Sequence, residues 1–230
     1  MICFDDVSKR YYGPGGRVDV IANLSFKVSA GEMAVICGPS GCGKSTLLFM
    51  AGAMLAPTEG SVTCEQHDIY SRTSGWRNRF RRTSVGFIFQ RFHLIPYLNA
   101  EQNILWSLRW SADSAKSARR LPELARTLGI AHILAHYPHQ LSAGEQQRVA
   151  AARAILGEKK IICADEPTGN LDEQNASLVM EAIRNEAQRG STVLLATHDS
   201  DMFDMGHTRI DLRHRERYGA EVEMATASGF

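Results

Sequence analysis

Hydrophobic positions in residues 1–36 repeat with a period of two. Val18 and Val20, then Leu24, Phe26 and Val28, alternate with polar neighbours, and Gly13-Pro14-Gly15-Gly16 interrupts the pattern. Alternation of this kind turns one strand face to a core and the other to water, with the glycine–proline cluster as a loop. Met33-Ala34-Val35-Ile36-Cys37 is instead an unbroken apolar run. A short run without a polar face predicts a strand covered on both sides, as in a parallel sheet. It leads into a glycine-rich loop, after which a helix is predicted over about 44–53.

The middle third changes period. Asn99 suits the cap of a helix carrying Ile104, Leu105 and Leu108. The polar stretch 111–120 reads as a loop or a frayed helix, and Pro122 begins or kinks the next helix, which carries Leu124 and Leu128. Ser142 and Glu145 have capping-box spacing and open a strongly helical run that ends near Gly157. Residues about 91–156 therefore read as mainly helical. Beyond them, 161–164 and 193–196 read as buried strands with a helix over about 174–188 between them. The fold class is α/β, in a single domain without internal repeats.

Composition narrows the function classes. With Lys+Arg 26 against Asp+Glu 25 the net charge is +1, so no global field calls for nucleic acid, and none is expected as a partner. A chain of 230 residues that is 44% hydrophobic is neither disordered nor collagen-like nor a disulfide scaffold. The longest greasy stretch, residues 47–56, contains Gly52 and falls short of the about 20 residues needed to span a bilayer. The N-terminus places acids before its first base and has no apolar signal core, so it does not read as a secretory signal. Cys3, Cys37, Cys42, Cys64 and Cys163 form no CxxC pair and are odd in number, which favours free thiols in a reducing cytosol.

The candidate chemistry begins with Gly38, Pro39, Ser40, Gly41, Cys42, Gly43, Lys44, Ser45 and Thr46, which match GxxxxGK followed by Ser or Thr. The run follows a predicted strand and opens a predicted helix, the setting a phosphate-binding loop requires. Its backbone N–H groups and the helix N-terminus suit phosphates. Lys44 is predicted to reach the β- and γ-phosphates and Ser45 to ligate Mg²⁺. At the end of the apolar run 161–164 stand Asp165 and Glu166. Asp165 is placed to hold Mg²⁺, and Glu166 to orient or deprotonate the attacking water. Alone, the two acids could also cap a turn, a reading that the upstream phosphate loop makes small. The start of the helix at Ser142 is either an ordinary cap or a second phosphate-binding N-terminus; spacing does not separate the two.

These segments together resemble ATP-binding cassette (ABC) ATPases. The phosphate loop, Gln90 in FIFQ, LSAGEQQRVAAARA, ADEPTGNLD and the THD at 197–199 stand in that family's order, and the LSGGQ-like segment is its signature. The resemblance covers nearly the whole chain. It implies a P-loop NTPase (RecA-like) core at about 1–90 and 157–230, an N-terminal antiparallel β subdomain, and an inserted α-helical subdomain at about 91–156. It also implies a head-to-tail homodimer that sandwiches two ATP molecules with Mg²⁺. In that scheme Ser142 and Gly144 meet the γ-phosphate of the partner's ATP, and Asp172 lies in the loop that crosses the dimer. Gln90 links Mg²⁺ and the water to the transporter interface, His198 contacts the γ-phosphate, and Tyr11 stacks on adenine, with Tyr12 as a substitute. Ala143 departs from the family's usual Gly. As a first helical residue it takes negative φ, so activity is expected to survive.

VGFIFQRFHLIPYLNAEQNI and ADEPTGNLD are similar to the group of lipoprotein-release, macrolide-export and cell-division ATPases. That similarity implies an ATPase subunit on the cytoplasmic face of the inner (plasma) membrane, held there by a separate transmembrane permease and powering export or substrate extraction. The alternative is an ABC ATPase that regulates a membrane partner without transport. His132, His136 and His139 lack an accompanying acid or cysteine and read as surface or packing residues. Arg77, Arg79, Arg81 and Arg82 read as a solvated basic face anchored by Trp76 and Phe80. Residues 213–217 replace a frequent Asp-Gly turn of the family.

Overall fold

The computed structural model describes residues 1–14, 16–111, 113–199, 202 and 205–212, and residues 221–224 as strand backbone. The chain runs β1 (Ile2–Gly13), β2 (Gly16–Val28), β3 (Met33–Cys37), α1 (Lys44–Ala51), β4 (Glu59–Cys64), β5 (His67–Asp68), α2 (Ser74–Ser84) and β6 (Val85–Ile88). It continues through α3 (Ala100–Trp106), α4 (Ser114–Ala118), α5 (Leu121–Thr127), α6 (Ala143–Ile155), β7 (Ile161–Asp165), α7 (Glu173–Gln188), β8 (Thr192–Thr197), β9 (Thr208–Asp211) and β10 (Glu221–Met224). Two sheets result. An antiparallel sheet has the order β2-β1-β4-β5, and a second sheet has the order β10-β9-β3-β8-β7-β6. The pairs from β9 to β6 in that second sheet are parallel, and β10 joins β9 antiparallel.

The apolar strands divide their side chains between two cores. Val35 of β3, Ile162 and Ala164 of β7, and Leu195 of β8 face the layer of α3, α5, α6 and α7. Ile36, Ile161, Cys163 and Leu194 face α1 and the antiparallel sheet. Successive strand residues point to opposite faces, so a strand covered on both sides must be apolar throughout. Ile104, Leu124 and Val149 from the helical middle third join the same buried cluster as the strand residues. Gly86 of β6 permits a close helix–strand approach: a Cβ there would lie 2.3 Å from the Ala154 carbonyl oxygen of α6.

The predicted caps form. Asn99 and Gln102 make a capping box on α3, and Pro122 sits in the first turn of α5, where its missing N–H costs no helical bond. Asp113 caps α4 inside the polar stretch. α1 ends at Ala51 rather than near Ala53, because the Gly52 N–H closes the last turn on Leu48 and Ala53 turns left-handed at φ 58°. On α2, Phe80 is buried and Trp76 stacks on it at 5.2 Å, while the Arg81 guanidinium reaches the Ala53 carbonyl at 2.8 Å. His132, His136 and His139 are exposed. Residues 213–217 lie outside the described residues.

Candidate nucleotide site

The loop between β3 and α1 is shaped by contacts that only glycine allows. Gly38 has φ 153°, and a Cβ there would meet the Cys42 sulfur at 2.6 Å; Gly43 has φ 112°, and a Cβ there would meet Ile21 Cδ1 at 2.8 Å. The Cys42 side chain packs against the core between the sheets rather than into the cleft. The β1–β2 register steps between the pairs Lys9–Ile21 and Arg10–Asp19, which leaves Val20 as the extra residue of a β-bulge. That bulge lies against Gly43 and adds Val20 to the cleft wall.

Lys44 is buried at the start of α1. Its ammonium donates to the Gly38 carbonyl at 2.6 Å and the Pro39 carbonyl at 3.3 Å, and stands 3.7 Å from Glu166 Oε1. Asp165 ends β7, where burial pushes its carboxyl pKa up against a hydrogen bond from Ser45, and the neighbouring Glu166 charge pushes the same way as burial. Glu166 follows in the left-handed region at φ 48°, its N–H donating to the Ala196 carbonyl at 2.9 Å. For a residue other than glycine this is a strained backbone. The kink aims the carboxylate between the Lys44 ammonium and the His198 imidazole, and Glu166 Oε2 meets His198 Nδ1 at 2.8 Å.

An open cleft of about 350 Å³ is lined by Ser40, Gly41, Gly43, Lys44, Ser45 and Thr46 from the loop and helix. Gln90, Asp165, Glu166 and Val20 complete it. The glycine cradle and buried ammonium suit a polyphosphate. The hydrogen-bonded Ser45 hydroxyl and Asp165 carboxylate, with the Gln90 amide lining the same cleft, are hard oxygen donors that suit Mg²⁺.

The family profile for ABC transporters matches residues 21–169. The chain belongs to the ABC transporter ATPase family. Its reaction is hydrolysis of ATP to ADP and phosphate, with Mg²⁺ accompanying the nucleotide. An uncharacterized ABC transporter ATP-binding protein of Methanocaldococcus jannaschii is 40% identical over 209 residues, 90% of this chain and 93% of its own length. The lipoprotein-releasing system ATP-binding protein of Syntrophotalea carbinolica is 38% identical over 204 residues, 87% of this chain and 89% of its own length. In structure, the chain is similar to the dimeric ATP-binding cassette MJ0796 bound to ADP and Pi. The TM-score is 0.88 at 31% identity, over 99% of this chain and 100% of that one.

Of the residues singled out in this ABC ATPase, Gly38, Pro39, Cys42 and His198 adjoin the cleft without lining it, and Ser142, Gly144, Asp172 and Tyr11 lie outside it. Ser142 is exposed at the N-terminus of α6, its hydroxyl accepting from the Glu145 N–H at 3.3 Å. Gly144 abuts the loop that leads to α7: a Cβ on it would lie 3.2 Å from Leu171 Cδ2. Asp172 caps α7, accepting from the Asn175 N–H at 2.8 Å. The starts of α6 and α7 are therefore neighbours. Tyr11 pairs with Val18 and shares its strand face with Lys9, whose ammonium lies 5.3 Å from the Tyr11 ring centre. Lys9 in turn pairs with Ile21, on the side of the phosphate loop, whereas Tyr12 pairs with Arg17 on the opposite face.

Sequence reasoning missed Val20 and the Glu166–His198 pair. Val20 carries no chemical signal, being one apolar residue in an alternating strand. The pair joins residues 32 positions apart and needs the parallel β7–β8 register to form.

Proposed function

We propose that this chain is the ATP-hydrolysing subunit of a membrane ABC system of the lipoprotein-release type. It acts as a homodimer that closes on two ATP molecules and works a separate permease from the cytoplasmic face of the membrane. The observation that carries this reading is the division of the predicted phosphate contacts between two surfaces. Lys44, Ser45, Asp165 and Glu166 converge in the cleft, while Ser142, Gly144 and Asp172 stand on neighbouring helix starts outside it. A second copy set head to tail brings the two surfaces together. The relative from the lipoprotein-releasing system supports the choice of group.

In this reading Lys44 leaves the Gly38 and Pro39 carbonyls for the β- and γ-phosphates, and Ser45, Asp165 and Gln90 would hold Mg²⁺, which would supply positive charge against the developing phosphate charge. Tyr11, on the loop-side face of the hairpin, stacks on adenine. Glu166 accepts the proton of the attacking water. His198 orients Glu166 and meets the γ-phosphate. One carboxylate oxygen of Glu166 faces the Lys44 ammonium and the other the His198 imidazole. A γ-phosphate that attracts both frees the carboxylate to act as base, so substrate arrival and base activation are coupled. Among the described residues no helix is long and apolar enough to cross a membrane, and the membrane path is assigned to the permease.

The test is affinity purification of the tagged chain from detergent-solubilised membranes. Recovery of a permease with a large extracytoplasmic domain is the expected result. Recovery of a non-transport membrane regulator would favour the regulatory reading instead, and recovery of no membrane protein would contradict both.

A further inference from the structure

The Ser142 hydroxyl has one proton, and in this structure that proton is engaged. It donates to Glu145 Oε2 at 2.8 Å, and the same carboxylate oxygen accepts the Ser142 backbone N–H at 2.8 Å. Both hydrogen bonds hold the Glu145 carboxyl below the usual carboxylate range, so it is ionised at neutral pH. An anion therefore already occupies the start of α6, satisfying donors that a phosphate oxygen would need.

We infer that Glu145 is an internal competitor of the γ-phosphate for Ser142, a positioning residue that sets the ATP concentration at which the dimer closes. The inference rests on the trans assignment of Ser142 made above. A phosphate oxygen arriving at Ser142 meets a hydroxyl whose proton points at Glu145, and a like charge on the same helix terminus. For the hydroxyl to turn to the phosphate, the Ser142–Glu145 bond must open. The carboxylate must then either leave or share the terminus against electrostatic repulsion. The arrangement holds Ser142 in a fixed rotamer meanwhile, so the second half-site is ordered but self-satisfied. Glu145 thus raises the threshold for closure without touching the chemistry at Glu166.

The experiment measures dimer mass by light scattering against Mg-ATP concentration, in the Glu166→Gln chain with and without Glu145→Gln. The glutamine keeps an oxygen to accept from Ser142 and so keeps the cap, but removes the charge. The half-saturating ATP concentration is expected to fall about two- to fivefold, the effect of one charge at a helix terminus. In the chain with Glu166 intact, KM falls by a similar factor while kcat is unchanged. A purely structural cap would leave the ATP concentration unmoved, or raise it together with a lowered Tm; an unmoved or raised half-saturation overturns the inference. Ser142→Arg separates the two claims. If it abolishes dimerisation while Glu145→Gln shifts nothing, the trans reading stands and the competitor role falls. If it dimerises normally, both fall.

Discussion

At the scale of single residues, Glu166 combines a strained backbone with a carboxylate pinned between Lys44 and His198. Strain of this kind persists only where the surroundings over-determine it, here through the Glu166 N–H to the Ala196 carbonyl. Glu166→Gln preserves shape and removes the proposed base. Phosphate release is expected to slow by about 10²–10⁴-fold while ATP binding is retained. Turnover at the parental rate would exclude Glu166 as the base. The identity of this residue was legible because two acids ended an apolar strand. Its conformation was not, because it depends on a neighbouring strand joined late in the chain. Lys44 shows the same division: the motif names it, but its hold on the Gly38 and Pro39 carbonyls is visible only in three dimensions.

At the scale of elements, local chemistry predicted well wherever it decided the outcome alone. Asn99 and Ser142 each cap the helix that follows, as read from the sequence, because a short polar side chain satisfies a free N–H within three residues; Asp172 caps α7 in the same way, a role the sequence reading did not give it. The end of α1 was misplaced because Ala53 has no intrinsic preference for the left-handed turn it adopts. The bulge at Val20 and the approach of α6 to β6 were invisible for the same reason, being set by packing. Gly86 tests that packing. A methyl there would lie within 2.3 Å of the Ala154 carbonyl oxygen, a backbone atom that cannot rotate away. Gly86→Ala is expected to cost about 1–3 kcal/mol by forcing α6 off the sheet. That loss corresponds to a fall in Tm of roughly 2–4 °C per kcal/mol for a chain of this size, read by thermal unfolding. An unchanged Tm would mean that α6 is free to shift.

At the scale of the molecule, the cleft and the start of α6 lie on separate surfaces of one chain, and the proposal assigns them to two different sites. The parallel sheet carries the phosphate loop and the β7 acids at the same strand ends, which is why the P-loop and the Asp165-Glu166 pair could be linked from sequence order. The trans partner surface was suggested by the signature segment alone, and its exposed Ser142 leaves it accessible to a second copy. With a net charge of +1 the chain has little overall self-repulsion to oppose the pairing of two copies. The most direct measurement is the mass of the Glu166→Gln chain in saturating Mg-ATP, by light scattering after gel filtration. A mass of twice 25.4 kDa with ATP, returning to 25.4 kDa when Ser142→Arg is added, is the predicted result. A mass that stays at 25.4 kDa with ATP bound, or a dimer indifferent to both ATP and Ser142, would contradict a site built from two subunits.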